Sequence, residues 1–468
     1  MGGRKTSTAP RYVRFTLIAL LACFVCGFTA MATAAEESDS QRLEKELAEI
    51  KEKLESLESR LESSGEPLTS TPETGDLELS PVWSRESLET PAPFRGVYDK
   101  PFLGSFWRRA YVGGYTEFEY HSFEDGIQGI PEGFRMHRTN LFLFTEISDT
   151  VRFGSEVEFE TEFAGTTNSS DIEVAVEMAF VDWTIFQELS LRGGALLAPL
   201  GRINVNHDGP VRELTERPLV STYVIPTTLT EAGAGGYGTF HLGRELEIGY
   251  EAYAVNGFDV LQADGSLIGG LDPNTQTERI LREGRNSVGG DVNDGVASTG
   301  RVALSAVEAF EVGGSWHVGT YDERGDNLLN IFAGDAAVVY EIFALEGEIA
   351  VADFSRDTFA TTAGVPDLFW GYYVQLSAGG MPELFRKALP TIFGEDGAKL
   401  TAALRFDWID IDGDRGEVIE PGISFRPVAD TVFKFSYRFA PTSFGVRGVP
   451  GTETFDDEGF VLSISSYF

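Results

Sequence analysis

Four glutamates stand at alternate positions in one short stretch, Glu156, Glu158, Glu160 and Glu162, with Arg152 on the same parity. Side chains of an extended strand alternate with period two, so these carboxylates share one face. Four carboxylates in a row cannot face a dry core, where each would need a partner or lose its charge. They can line a hydrated path and draw cations to it. A basic set, Arg405, Arg426, Lys434 and Arg438, lies on segments near the C-terminal end, and Arg192 lies close in sequence to the acidic group. Opposed acidic and basic walls would set a field across a pore and filter solutes by charge and size. A third set falls between Pro199 and Ala234: Arg202, His207, Asp208, Arg212, Glu213, Glu216 and Arg217, followed by Leu219, Val220, Tyr223, Val224 and Ile225. Such hydrophobic residues are out of place in a loop bathed in water. A loop folded back between strands accounts for them, and would set Arg202, Arg212 and Arg217 at the narrowest point.

Other chemistries find little support. The five histidines have no ligand spacing along the chain, and no metal site or cofactor is expected. Gly233–Gly238 is glycine-rich but lacks the Lys-Ser/Thr of a phosphate loop, and reads as a bend leading into a strand. Asp410, Asp412 and Asp414 alternate as in a calcium loop, but the glycine and glutamate of that motif are out of register, so this reads as a solvated acidic loop. No nucleophile–base arrangement stands out, so the chain is not expected to be an enzyme.

The elements that must position these charges are strands. In Val151–Phe163 the apolar Val151, Phe153, Val157, Phe159 and Phe163 oppose the charged face, and the same two-faced pattern recurs, more weakly, to Phe468. In 431–440, Phe433, Phe435, Tyr437 and Phe439 share one face and Lys434, Ser436 and Arg438 the other. The stretch 134–148 carries bulky apolar residues on both faces and gives no orientation. Sixteen such segments can be counted from Ala110 onward. Tight turns alternate with longer polar loops, except at 378–397, where Met381–Lys387 reads as a helical turn. Trp183, Phe186, Phe310, Phe343 and Tyr467, near strand ends, suit an aromatic girdle. An apolar outside, a polar inside and an even strand count predict an all-β fold, a transmembrane antiparallel β-barrel over residues 109–468.

Ahead of the barrel, Arg4, Lys5, Arg11 and Arg14 precede an apolar run, Phe15–Met31, and a small-residue Ala32-Thr33-Ala34 site, the order of a secretory signal over 1–34. Both cysteines, Cys23 and Cys26, lie inside it, so the exported chain is expected to have no disulfide. Leu43, Leu47, Ile50, Leu54, Leu57 and Leu61 form a heptad seam, predicting a periplasmic coiled-coil helix over 35–62. Glu46 with Lys51, and Lys53 with Glu58, would attract across a parallel homo-oligomer. Residues 63–108 are proline-rich and read as a linker. A formal charge of −36 disfavours nucleic acid as a partner.

In these residues and their spacing the chain resembles outer-membrane porins, and within them the phosphate-selective porin O/P family. The resemblance runs from about Arg109 to Phe468, through the strand pair 134–163, the Gly194–Gly201 passage from strand to loop, the basic third loop and the terminal aromatic. It implies a homotrimer of water-filled barrels in the bacterial outer membrane, each with its third loop folded inward, in contact with outer-membrane lipid. The wall here is acidic and shows no arginine ladder. Three readings follow: passive diffusion of small hydrophilic solutes and ions; selection of phosphate or another anion by Arg202, Arg212 and Arg217; or an envelope tether, in which the N-terminal helix binds the cell wall and the barrel is an anchor.

Overall fold

The computed structural model describes residues 105–107, 110–123, 132–163, 170–186, 188–243, 246–272, 276–285, 295–306, 310–393, 397–442 and 458–468. The segments read above as a secretory signal and a coiled-coil helix, and nearly all of the proline-rich stretch, lie outside these residues. The first element, β1 (Ser105–Trp107), is a stub that pairs with β2 (Ala110–Phe123). There follow β3 (Gly133–Glu146), β4 (Val151–Phe163), β5 (Ser170–Phe186), β6 (Leu189–Leu197), β7 (Thr230–Leu242), β8 (Leu246–Val255), β9 (Ala297–Ala306) and β10 (Phe310–Thr320). The second half holds β11 (Leu328–Tyr340), β12 (Phe343–Phe354), β13 (Leu368–Gly380), β14 (Lys399–Ile411), β15 (Asp414–Val428), β16 (Thr431–Thr442) and β17 (Gly459–Tyr467). Each strand pairs antiparallel with the next, and β17 pairs back onto β2, so the sixteen strands β2–β17 form a closed antiparallel barrel.

Alternation decides what each face meets. On β16, Phe433, Phe435 and Phe439 are exposed outward, while Lys434 and Ser436 are buried inward. On β13 the outward side carries Leu368, Val374 and Leu376, and Phe369, Tyr373 and Gln375 point inward. A belt of large apolar side chains of this extent is insoluble in water, and lipid is the medium that fits it. No helix among the described residues is long and apolar enough to cross a membrane. The closed ladder leaves no barrel edge unpaired, as a spanning sheet requires.

Several local expectations change. The Gly233–Gly238 run does not lead into a strand. It lies inside β7, which begins at Thr230. A Cβ at Gly235 would stand 2.0 Å from Ala252 O, and one at Gly238 1.9 Å from Glu188 O, so the glycines let neighbouring backbone approach closely. The Asp410–Asp414 stretch is a hairpin turn. Ile411 pairs with Asp414, while Asp412 and Gly413 take positive φ of 52° and 101°, the type I′ geometry that Asp-Gly favours. Asp410 accepts from Gly413 N at 2.8 Å, and Asp412 from Asp367 N at 2.9 Å. The anomalous connection after β13 does hold short helices, Glu383–Ala388 and Pro390–Phe393. Trp183, Phe186 and Phe343 lie outward near strand ends, but Tyr467 turns inward and donates to Asp208 at 3.1 Å.

Candidate functional site

The connection from β6 to β7, residues 198–229, is held at its root and then crosses to strands all around the barrel. Ala198 N donates to Leu229 O at 3.0 Å. The buried Asn204 ties both limbs. Its Nδ2 donates to Ala198 O at 2.7 Å and Leu229 O at 3.1 Å, and its Oδ1 accepts from Leu229 N at 2.8 Å. Gly201, at φ 67°, brings the chain against the wall, where a Cβ would meet Glu348 Oε2 at 2.6 Å. Gly201 N donates to Ser315 Oγ on β10 at 2.8 Å, and Arg202 N to Glu348 on β12 at 2.6 Å.

Farther along, the loop reaches other strands. Lys434 Nζ on β16 donates to Gly209 O at 3.0 Å, Thr215 bonds Ser436, and Ser424 on β15 donates to Glu213. Arg405 on β14 donates to Glu216 O at 2.8 Å and Arg217 O at 3.3 Å, and Leu219 N donates to Asp407 at 3.0 Å. Every wall partner is an inward-facing side chain. Beyond Pro218 the hydrophobic residues pack as the sequence suggested. Leu219, Val220, Val224 and Ile225 are buried in one cluster with Ile331, Phe369, Tyr373, Ile409 and Val418 of the inner wall, and with Phe258 and Leu261 of the β8–β9 connection.

The structure separates the residues that sequence grouped as a constriction. Arg202 is buried beside β12, with Nη2 3.2 Å from Glu346. Burial is the largest single influence and would weaken its cation, but Glu346, Tyr373, Asp335 and Glu311 together outweigh it and raise its pKa. Arg212 lies elsewhere, 3.6 Å from Glu117 on β2 and donating to Thr215 O at 2.8 Å. Arg217 donates to Thr227 O at 3.1 Å. Burial, with the guanidinium groups of Arg138 and Arg212 nearby, pulls Arg217 down to about 10. Arg212 and Arg217 therefore form a group that includes Arg138 and excludes Arg202.

Glu156, Glu158 and Glu160 do face inward on β4, but they are not a bare acidic row. Glu156 accepts from Asn140 at 2.8 Å, and Glu158 pairs with Arg138 at 3.2 Å. Glu160 lies 3.1 Å from His137 and 3.8 Å from Arg138. Glu162 belongs to β4, opposite Asp171, but its side chain lies outside the described set. On the opposing wall, Arg405 is clamped by Asp407 at 2.7 Å and Glu420 at 2.5 Å, and Lys434 by Glu117 at 2.9 Å. Arg438 is half-buried on the inward side of β16. Arg192 bonds Asp182 on the next strand at 2.8 and 3.1 Å. The expected opposed walls are thus interleaved: Arg405, Lys434 and Arg192 each sit against carboxylates of the wall.

Sequence reading missed Glu117, Glu119, Arg135, His137 and Arg138, which crowd the inner face of β2 and β3. Arg135 bonds Glu119 at 2.8 Å, and His137 Nδ1 lies 3.0 Å from the same carboxylate. It also missed His317, whose Nε2 lies 3.1 Å from both oxygens of Glu231. The alternation of β2 (Glu117, Glu119, His121) carried the signal for the first group. Nothing along the chain links Glu231 to His317.

No family model matches the chain. A protein of Aquifex aeolicus (strain VF5), described as uncharacterized, is 26% identical over 345 residues, which is 70% of this chain and 74% of that one. Among solved structures, the chain is similar to the outer membrane channel DcaP of Acinetobacter baumannii, at 13% identity and TM-score 0.47, covering 78% of this chain and 99% of that one. It is similar to an anion-selective porin from Comamonas acidovorans at 12% identity and TM-score 0.48, covering 77% and 99%. OmpT of Vibrio cholerae in its trimer form matches at 10% identity and TM-score 0.45, covering 77% and 99%.

Proposed function

We propose that the chain is an outer-membrane porin that lets small hydrophilic solutes and ions diffuse passively, with the 198–229 loop as its constriction. One observation carries this reading: the loop bonds to inward side chains of β10, β12 and β14–β16 while the outward face of the wall is apolar. A barrel of this strand number encloses more space than its own wall side chains fill, and the loop takes up part of it. The pore is not an enzyme in this reading, and it works as a homotrimer with outer-membrane lipid around it. Shortening the loop between Gly201 and Thr227 should raise single-channel conductance and the solute size limit, while the closed ladder keeps the barrel intact. Unchanged conductance and size limit in a folded variant would place the constriction elsewhere.

A second reading, an anion-attracting pore, has its own support. Arg138 Nε, Arg212 Nε and Nη2, and Arg217 Nε and Nη2 are buried N–H groups without a hydrogen-bond partner. Unmet guanidinium donors in one group suit an anion stripped of part of its water. The donor set is Arg138, Arg212 and Arg217, with Arg202 left out. Reversal potentials in a salt gradient separate the two readings. The tether reading rests on the heptad segment, which lies outside the described residues.

A further inference from the structure

The inner wall also gathers a second kind of site, built where the loop meets β3, β4 and β5. His207, from the loop, is fully buried. Its Nδ1 lies 2.9 Å from Asn204 O, so Nδ1 carries a proton and donates to that carbonyl. Nε2 is thereby left to face Glu177 Oε2 at 3.3 Å. Glu156 completes the group, and one ligand atom from each of the three lies within 4.8 Å of the others. An imidazole pinned through one nitrogen by a backbone carbonyl, with the other aimed at carboxylates, is the arrangement of a metal ligand with its outer-shell support.

The wall is shaped for this. On β5 the register slips between Glu156 and Val157 of β4. Glu156 opposes Met178 and Val157 opposes Val176, so Glu177 is the extra residue. That bulge turns Glu177 inward beside Glu156, which regular alternation would not do. Two buried polar atoms nearby have no partner. Asn140 Nδ2 bridges Glu156 at 2.8 Å and Glu177 at 2.9 Å, yet its Oδ1 is buried and unbonded. Tyr115, directly opposite Asn140 in register, buries a hydroxyl that is also unbonded. A cation between the carboxylates would reverse the preference of the amide, whose oxygen then points to the metal. A further cation is disfavoured at the other carboxylate–histidine group, Glu117, Glu119 and His137, which Arg135, Arg138, Arg212 and Lys434 crowd.

We propose that Glu156, Glu177 and His207 bind a divalent transition-metal cation such as zinc, with Asn140 supplying an amide oxygen as a further ligand, and that the ion fastens the loop to β3–β5. Imidazole with carboxylate and amide oxygens suits borderline first-row cations better than calcium or magnesium, which prefer all-oxygen shells. Ligand distances of about 2.0–2.2 Å require the donor atoms to close to roughly 3.3 Å apart; His207 and Glu177 already stand at that distance, and all three ligand atoms lie within 4.8 Å of one another.

The test uses the full chain, folded in detergent, stripped with chelator and titrated with zinc chloride by calorimetry. One zinc per chain is expected, with calcium and magnesium failing to compete. The isosteric variants Glu156→Gln and Glu177→Gln, and His207→Gln, which keeps a polar side chain there, should each weaken zinc binding by at least ~100-fold, beyond the roughly 10–100-fold typical of losing an outer-shell partner. Glu119→Gln should leave it unchanged. Cobalt bound in place of zinc should give a visible spectrum that the His207 variant lacks. The proposal is overturned if the folded wild type takes up no zinc, if the Glu156 and His207 variants bind as wild type does, or if Glu119→Gln is the variant that abolishes binding.

Discussion

Arg405 gives the sharpest way to separate the loop from the wall that holds it. Its Nε and Nη2 bond Asp407 and Glu420, while Nη1 and Nη2 also reach Glu216 O at 2.8 Å and Arg217 O at 3.3 Å. Replacing it by methionine keeps much of its bulk and leaves the β13–β14–β15 ladder untouched. Bonds from a charged donor contribute about 1.5–3 kcal/mol each; the second one here is long and water in the lumen can substitute, so about 2–3 kcal/mol of docking is lost, roughly 30- to 150-fold in the undocking equilibrium. Asp407 and Glu420, left without their cation, push the same way by repulsion. The readout is hydrogen exchange at the amides of Leu219, Ser221, Ile225 and Thr227, which donate to Asp407, Pro218 O, Val220 O and Ser221 O. Their protection should fall by that factor, and channel current should become noisier. Arg192→Met is the control, since its guanidinium bonds Asp182 on the neighbouring strand and lies 4.3 Å over Phe180 and 4.4 Å over Tyr237. Unchanged protection of those four amides in a folded Arg405→Met barrel would refute this account of how the loop is held.

Three further outcomes are expected. Glu158→Gln with Glu160→Gln removes the carboxylates beside Arg138 and His137; the reversal potential should shift toward anions at low salt, and the shift should fade as the Debye length falls from ~10 Å at 0.1 M to ~3 Å at 1 M. Arg217→Met should raise the melting temperature, because burial beside Arg138 and Arg212 pulls this group down to about 10. A base whose folded pKa is lowered gains stability as pH rises through that value, so the deficit of wild type against Arg217→Met should narrow between pH ~9 and ~11 in paired melts. Gly235→Val puts a side chain 2.0 Å from Ala252 O and should cost at least about 1–3 kcal/mol or block barrel closure, seen as lost resistance to unfolding in detergent.

What could be read along the chain was what alternation encodes. The span Val151–Phe163 and the faces of β16 follow from period two alone, because lipid outside and water or charge inside select opposite residues at neighbouring positions. The stretch 134–148 resisted for a physical reason. Leu141 and Leu143 face outward, but Phe142 and Phe144 point inward onto Tyr115, Met178, Phe180, Leu196 and Leu197, so its inner face is apolar as well. The hydrophobic run after Pro218 was legible for the converse reason, since no aqueous loop keeps Leu219, Val220, Val224 and Ile225.

Which charges meet was not legible, because it depends on the register between strands and on where a loop crosses. Lys434 and Glu117 are 317 positions apart and still 2.9 Å from each other. Arg202 and Arg212, ten positions apart on one loop, end beside different strands, Glu346 on β12 and Glu117 on β2. The bulge at Glu177 is the clearest case: one extra residue in β5 changes which carboxylates share a face, and a period-two reading carried through it assigns every later side chain to the wrong side. The group of Glu156, Glu177 and His207 exists because of that single slip, together with the loop that delivers the imidazole to it.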